Sequence, residues 1–253
     1  VGTKLVAVID SFDTKTQARG GSSIFRLDGA NWVKTFDIGR TKIPRKLISL
    51  GGSAILQTQS FPVITTLQSN AQADTWTKTT LDTSMLKGQL FNAVLSIGGN
   101  LLYATETGVY QSSDNLEKVQ LKSKGIASGS FIAITTDASD VYVLTQSAIF
   151  KSTDNGDNFK RIPPPNNFTS DGLDLKVYNK TIYLYRPNSP LKSDTSLFIS
   201  KDEGKTWAAA GIPVGSSQKT KKIIGLNPSG ILMDVDQGAG IKNFYSSSND
   251  GQT

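Results

Sequence analysis

Carboxylates, amines and phenols are the reactive groups available to this chain, because its 253 residues include neither cysteine nor histidine. Without a thiolate there is no disulfide, no cysteine nucleophile and no sulfur-ligated metal. Without an imidazole there is no His-dependent triad and no histidine base or ligand. What remains is carboxylate, Tyr, Lys or Ser–Lys chemistry. Two carboxylates across a cleft can cleave a glycosidic bond. Asp234 and Asp236 in LMDVDQG and Glu106 in ATETG are candidates for that role, although nothing in the sequence selects them over Asp13 or Asp171. Asp234–Gly238 (DVDQG) begins like a calcium loop but lacks the later carboxylates and the closing Glu. It reads instead as a strand end followed by a Gly turn. No cofactor and no metal site is called for.

A repeat positions these residues. Ile149–Phe159 reads IFKSTDNGDNF, Phe198–Trp207 reads FISKDEGKTW and Phe244–Thr253 reads FYSSSNDGQT. Their common frame is aromatic–x–Ser–x–Asp/Asn–x–Gly–x–x–Trp/Phe. Val109–Val119 (VYQSSDNLEKV), Ile24–Trp32 (IFRLDGANW) and Thr65–Trp76 (TTLQSNAQADTW) are degraded copies. The closing residues Trp32, Trp76, Val119, Phe159 and Trp207 are 44, 43, 40 and 48 residues apart, a period that belongs to propeller blades.

Each period divides into four short β-branched and aromatic runs. In the fourth these are Phe131–Thr135, Val141–Thr145, Ile149–Ser152 and Phe159–Ile162, separated by turn residues. Hydrophobic residues at 37% and charged residues at 19% supply a core and exclude a disordered chain. The expected fold is therefore all-β: a β-propeller of about six four-stranded antiparallel blades, seven if the chain continues, in one domain over 1–253. The first period supplies only strands b, c and d (Lys4–Asp10, Ile24–Leu27, Trp32–Phe36). The sixth supplies only a, b and c (Lys222–Leu226, Ile231–Val235, Asn243–Ser247). With a start at Val1 and a stop inside a motif, the chain reads as a mature, processed or incomplete portion of a longer protein, unfinished at its C-terminus.

The Ser-x-Asp-x-Gly-x-Thr-Trp frame, matched best by Ser200, Asp202, Gly204, Thr206 and Trp207, resembles the Asp box or BNR repeat. Such repeats occur in sialidases, sortilin-type receptors, some glucanases and photosystem II assembly-factor-like proteins of many bacteria. On physical grounds the motif is scaffold: the carboxylate accepts backbone N–H groups of its own turn, Gly supplies positive φ, and the aromatic packs between blades. That role is expected for Ser152, Asp154 and Gly156, for the five residues of the best copy, and for Ser247, Asn249 and Gly251.

In a propeller the b–c and d–a loops share the face opposite the c–d turns. The expected b–c loops include Ser11–Ser22, Tyr185–Ser196 and Asp236–Lys242. The expected d–a loops include Asp37–Lys46, Lys122–Gly129, Pro163–Asp171 and Gly211–Lys221. They carry much of the excess behind a net charge of +6 and a pI near 9.3. Arg19, Arg40, Lys42, Arg45, Lys46, Lys124, Arg186, Lys192 and Lys221 form the candidate binding face. Such a face suits an anionic partner.

The resemblance also implies sialidase chemistry, which needs an Arg cluster, a Tyr–Glu nucleophile pair and an acid Asp. Only six Arg are present, scattered, and Arg161-Ile162-Pro163 follows a box rather than preceding the first one. Nucleic-acid binding would need clustered Arg and exposed aromatics, which the Lys-dominated loops lack. No apolar run approaches the ~20 residues of a membrane span. The expected function is a non-catalytic binding or assembly propeller, secreted, periplasmic or on a bacterial cell surface. It would hold a protein or an anionic glycan through the b–c/d–a face, within a larger surface or secreted assembly. The alternative is a sialidase- or glucanase-like glycoside hydrolase using channel-facing carboxylates.

Overall fold

The structure, a computed structural model, describes residues 4–13, 15–16, 18–50, 52–60, 63–79, 93–105, 107–112, 119–126, 130–166, 173–185, 197–210, 220–227, 230–238 and 241–248. Among the described residues there are only strands, turns and loops. Sheet 1 comprises β1 (Val6–Asp13), β2 (Ala18–Asp28) and β3 (Asn31–Gly39). Sheet 2 comprises β4 (Ile43–Leu50), β5 (Ser53–Ser60), β6 (Val63–Ser69) and β7 (Trp76–Thr79). Sheet 3 is β8 (Ala93–Ile97), β9 (Asn100–Ala104), β10 (Val109–Ser112) and β11 (Val119–Leu121). Sheet 4 is β12 (Phe131–Asp137), β13 (Asp140–Thr145), β14 (Ile149–Ser152) and β15 (Lys160–Ile162). Sheet 5 is β16 (Asp174–Tyr178), β17 (Thr181–Tyr185), β18 (Leu197–Ser200) and β19 (Ala208–Ala210). Sheet 6 comprises β20 (Thr220–Asn227), β21 (Gly230–Gly238) and β22 (Ile241–Ser247).

Every sheet is an antiparallel meander in sequence order, and the first and last have three strands, as the repeat predicts. The chain packs as two compact units, Val1–Leu121 and Lys122–Thr253, each holding three sheets.

The second full strand of a sheet explains the rest. β17 reads Thr-Ile-Tyr-Leu-Tyr, with Ile182 and Leu184 packed among sheet 4 residues and Tyr183 and Tyr185 among sheet 6 residues. Alternation is present, but both faces are covered, so the strand reads as a continuous apolar run. The same holds for Val141–Leu144 in β13 and Leu101–Ala104 in β9, all buried. Outer strands behave differently: β11 and β15 each bury one residue of three.

The a–b connections are two-residue turns, closed by the pairs Leu50–Ser53, Ile97–Asn100, Asp137–Asp140 and Tyr178–Thr181. Both central residues of the last turn, Asn179 and Lys180, have positive φ, at 47° and 62°. Left-handed backbone at Lys costs energy. Asp137 of the neighbouring sheet compensates by accepting both turn N–H groups, at 3.1 and 2.6 Å.

Three sequence expectations change. Ser11–Ser22 and Asp236–Lys242 are not irregular loops: β1–β2 stays paired out to Asp13–Ala18 and β21–β22 out to Gly238–Ile241, forming long ribbons. Asp37–Lys46 shrinks to Arg40–Lys42, because β3 runs to Gly39 and β4 starts at Ile43. The copy at Ile24–Trp32 is a two-residue hairpin turn between Asp28 and Asn31, with no room for a seven-residue turn.

One core position stands apart. Gln57 of β5 corresponds in register to Ala104, Leu144 and Tyr185; it is 5% exposed, and its Nε2 has no hydrogen-bond partner. Gln57→Leu removes an unsatisfied buried donor and should raise unfolding stability by about 1–3 kcal/mol. Leu144→Ala should lower it by about 2–5 kcal/mol. Urea midpoints of the two variants check both; a Gln57→Leu protein less stable than the parent would contradict the assignment.

Candidate interaction surface

The turns joining β14 to β15 and β18 to β19 are nearly identical in detail. Ser152 and Ser200 are each 1% exposed and each stand opposite the first core residue of the preceding strand, Val141 and Ile182. Ser112 holds the same place opposite Leu101, and Ser247 opposite Ile231. Ser200 Oγ donates to Asp202 Oδ1 at 2.8 Å and accepts from Gly204 N at 2.7 Å. Asp202 then accepts from Thr206 N at 2.8 Å and Thr206 Oγ1 at 2.6 Å. In the other turn Ser152 donates to Asp154 at 2.6 Å and accepts from Gly156 N at 2.8 Å, with Asn158 in the place of Thr206. Gly156 and Gly204 have φ of 92° and 89°. A Cβ on Gly204 would overlap Ile162 Cγ2.

Hydrogen bonds to Ser152 and Asn158 hold the Asp154 carboxyl far below the usual carboxylate range. Those from Thr206 hold Asp202 at about 2. Both carboxylates are thus bound to their own turns. Asn249 and Gly251 lie outside the described residues.

The aromatics that close the turns of sheets 2, 4 and 5 bind residues that come before their own sheet in the chain. Trp207 Nε1 donates to Pro163 O at 2.9 Å, and Trp76 Nε1 to Thr35 Oγ1 at 3.3 Å. Phe159 N donates to Lys124 O at 2.8 Å, and Lys122 pairs with Asp157. Lys124, expected on the face opposite these turns, instead has its backbone docked on one of them. The turn after β6 uses a substitute: Asn70 Oδ1 accepts from Asp74 N and Thr75 N, and Ala73 takes the glycine place with φ of 55°.

No protein-family model matches the chain, and neither does any curated protein. Among solved structures it is similar to YCF48 from Cyanidioschyzon merolae, with a TM-score of 0.60 and 12% identity over 95% of this chain and 82% of that one. The fold is a β-propeller. Its sheets are the blades, and the turns just described are the c–d turns of blades 4 and 5.

The basic residues singled out from the sequence divide into three groups. Arg19, Arg40 and Arg45 hold backbone and side chains of blades 1 and 2. The Arg19 guanidinium donates to Arg40 O at 3.2 Å, Lys42 O at 3.0 Å and Asp10 at 2.9 Å, and also to Ser22. Arg40 Nε donates to Gly20 O at 3.1 Å, and Arg45 Nε to Gln59 Oε1 at 2.8 Å. The Arg19 and Arg40 contacts tie the β1–β2 ribbon to the short connector into blade 2, and the Arg45 contact joins β4 to β5 within blade 2. Lys46 and Lys221 lie on β4 and β20, where only the backbone is described. Arg186 and Lys192 lie outside the described residues, as does Glu106, and the side chains of Asp234 and Asp236 are not described.

The ribbon itself carries what sequence reading missed. Phe12 and Ile9 are 58% and 47% exposed toward its tip; Lys15 lies in the turn beyond, and Arg19, the partner of Phe12 across the ribbon, reaches the backbone of Lys42. The acidic residues there are engaged: Asp10 by Ser22 and Arg19, Asp13 by Thr16 and Lys15, Asp37 by Lys34 and Gly39, each held below its usual range by those bonds. The length of β2, 11 residues against 4 in β10, β14 and β18, marks the extension. In the sequence, Gly20-Gly21 and the absence of a Thr-x-Thr/Ser turn were the available signals. Blades 3 and 4 close the same connection tightly, Thr105 and Thr145 each bonding back to the residue three further on.

Two constellations look reactive and are not arranged for it. Tyr185 donates to Asp174 at 2.7 Å, a tyrosine–carboxylate pair, but burial and then the Asp174 charge push the phenol far above its usual range. A nucleophile needs the opposite. Burial pulls Lys151 down, yet Asp140 and Glu203, at 2.9 and 3.1 Å, outweigh it and keep the ammonium charged. Among the described residues no cluster of three acidic groups is placed to hold a metal ion, and no helix is long and apolar enough to cross a membrane.

Ser200→Ala should cost about 1–3 kcal/mol, because it strands the buried Gly204 N–H, whereas Thr206→Ser should cost little. Asp202 has a depressed pKa in the folded protein, so its contribution is complete above the unfolded value of about 3.9 and is lost as pH falls toward 2. Chemical denaturation from pH 5 to pH 2 should show a steeper loss for the parent than for Asp202→Asn; equal slopes would contradict the role given to the carboxylate.

Proposed function

We propose that this propeller is a non-catalytic binding or assembly protein that holds a protein partner on the b–c side of blade 1. The observation that carries the reading is the β1–β2 ribbon. It is extended where blades 3 and 4 have tight turns, and it exposes Phe12 and, three residues before it on the strand, Ile9, with Lys15 in the turn beyond. Large apolar side chains exposed toward the end of a braced ribbon, with the cations Lys15 and Lys42 at hand, suit a protein surface carrying apolar and acidic groups. The hydrogen-bonded state of Asp154 and Asp202 and the raised pKa of Tyr185 support a non-catalytic role. The likeness of the c–d turns to Asp boxes supports kinship with assembly-factor-like propellers, and the setting we propose is secreted, periplasmic or on the surface of a bacterium.

The test is capture of partners from the source organism on the immobilised chain. The protein retained by the parent should be lost by at least about tenfold with Phe12→Ser plus Lys42→Glu, and released by raised salt. Arg19 is left intact because it braces the ribbon. Unchanged retention by the double variant would remove this surface as the interface. Turnover in a panel of glycans, abolished by Glu106→Gln, Asp234→Asn or Asp236→Asn, would replace the binding reading with a hydrolase.

A further inference from the structure

The outer strand of blade 5 departs from its counterparts at one position. In blades 2, 3 and 4 the residue on strand d that faces Leu67, Tyr110 or Phe150 is Lys78, Leu121 or Arg161. All three are long side chains able to lie across their partner. In blade 5 the residue facing Phe198 is Ala209, with Ala208 and Ala210 on either side. Where the long side chain is missing there is a cavity of about 370 Å³. Phe198, Trp207 and Ala209 line it from blade 5, and Pro163, Pro164 and Pro165 from the exit of blade 4.

This cavity is built to keep its shape. Proline fixes φ, so three in succession make a stiff wall. Pro165 is buried, and Pro163 is tied to the opposite side through its bond from Trp207 Nε1. The volume falls in the range of small-ligand and side-chain pockets, about 300–1,000 Å³. Proline rings, an indole and a phenyl offer apolar contact of the sort that takes an aromatic side chain.

Charge decides which partner fits. Lys205 lines the cavity and is exposed, and among the described residues no ion pair engages it. The two carboxylates beside it in sequence are both taken, Asp202 by Ser200 and Thr206, and Glu203 by Lys151. The proline, indole and phenyl surface is thus bordered by one cation, Lys205, whose neighbouring anions are occupied.

We propose that this cavity is a second docking site, which takes an extended acidic segment of a partner protein by burying one aromatic anchor between Trp207, Phe198 and the prolines, with a flanking carboxylate on Lys205. It does not depend on the ribbon of blade 1, and its test leaves that surface untouched.

The probe is an acetylated, amidated pentapeptide of sequence EEFEE, titrated into the full chain while the indole N–H signals are followed by NMR. Trp32→Phe and Trp76→Phe variants assign the Trp207 signal. The expected result is a saturable shift of the Trp207 signal alone, weakened about tenfold by Lys205→Glu. Ala209→Arg, which restores the residue type of blade 4, should abolish the shift. Because the Lys205 side chain is exposed and takes no part in the turn's hydrogen bonds, which use only its backbone N–H, Lys205→Glu keeps the test valid if Ala209→Arg fails to fold. The proposal is overturned if the Trp207 signal does not move at millimolar peptide, if a KKFKK peptide binds as well, or if Lys205→Glu binds like the parent. Self-association of the parent that Ala209→Arg removes would make the occupant a second copy of the chain and would also overturn it.

Discussion

Strand b is apolar on both of its faces in blades 3, 4 and 5, and that demand organises the molecule. A strand with one apolar face can be covered by a single neighbour. Ile182 and Leu184 point one way and Tyr183 and Tyr185 the other, so β17 needs a sheet on each side. Each sheet in turn presents its own strand b, and the demand passes along the chain. Repetition is the solution, because no sheet can bury its own centre. Lys151 shows the same dependence in polar form: it lies over the Tyr142 ring and binds Asp140 of its own blade and Glu203 of the next.

Sheets that depend on their neighbours must be held at a fixed spacing, and the c–d turns do this. The buried serine turns a seven-residue loop into a closed hydrogen-bonded unit, and the aromatic at its end reaches the connector that precedes its own blade. The two halves are coupled: Gly204 packs so closely on Ile162 that only hydrogen fits there, while Trp207 binds the backbone one residue further on. Where blade 2 lacks the motif, Asn70 supplies the carbonyl that Asp supplies elsewhere, and Trp76 still reaches back to Thr35. The function of the turn survives the loss of its sequence signature.

That coupling explains what could be read from the sequence. The period, the strand runs and the scaffold role of Ser152, Asp154, Ser200 and Asp202 were all legible, because each depends on local pattern and turn chemistry. The starts of the outer strands were misplaced, since Phe159 and Trp207 have strand-like side chains but give their N–H groups to the connectors at Lys124 and Pro163. The basic face was harder to read. A list of Lys and Arg residues carries no information on which of them are engaged, and Arg19, Arg40 and Arg45 bind carbonyl and carboxamide oxygens that no sequence pattern marks. The exposure of Phe12 was hidden for a related reason: an apolar residue in an alternating strand reads as core until the length of its ribbon is known.

The distribution of satisfied and unsatisfied groups bears directly on function. Catalysis at a carboxylate, phenol or amine needs a group whose protonation is poised and whose partners leave room for a substrate. Among the described residues the shifted groups move the wrong way for that. Asp154 and Asp202 are driven toward permanent ionisation by donors of their own turns, Tyr185 toward permanent neutrality by burial, and Lys151 toward permanent charge by two carboxylates. Each shift locks a structural contact. What the scaffold leaves uncommitted is of another kind: exposed aromatic and aliphatic surface at Phe12 and Ile9, and the recess over Ala209, both beside cations. Those are the means by which a protein surface holds another chain, and they lie where the extended hairpin of blade 1 and the short side chain of blade 5 depart from the pattern of blades 3 and 4.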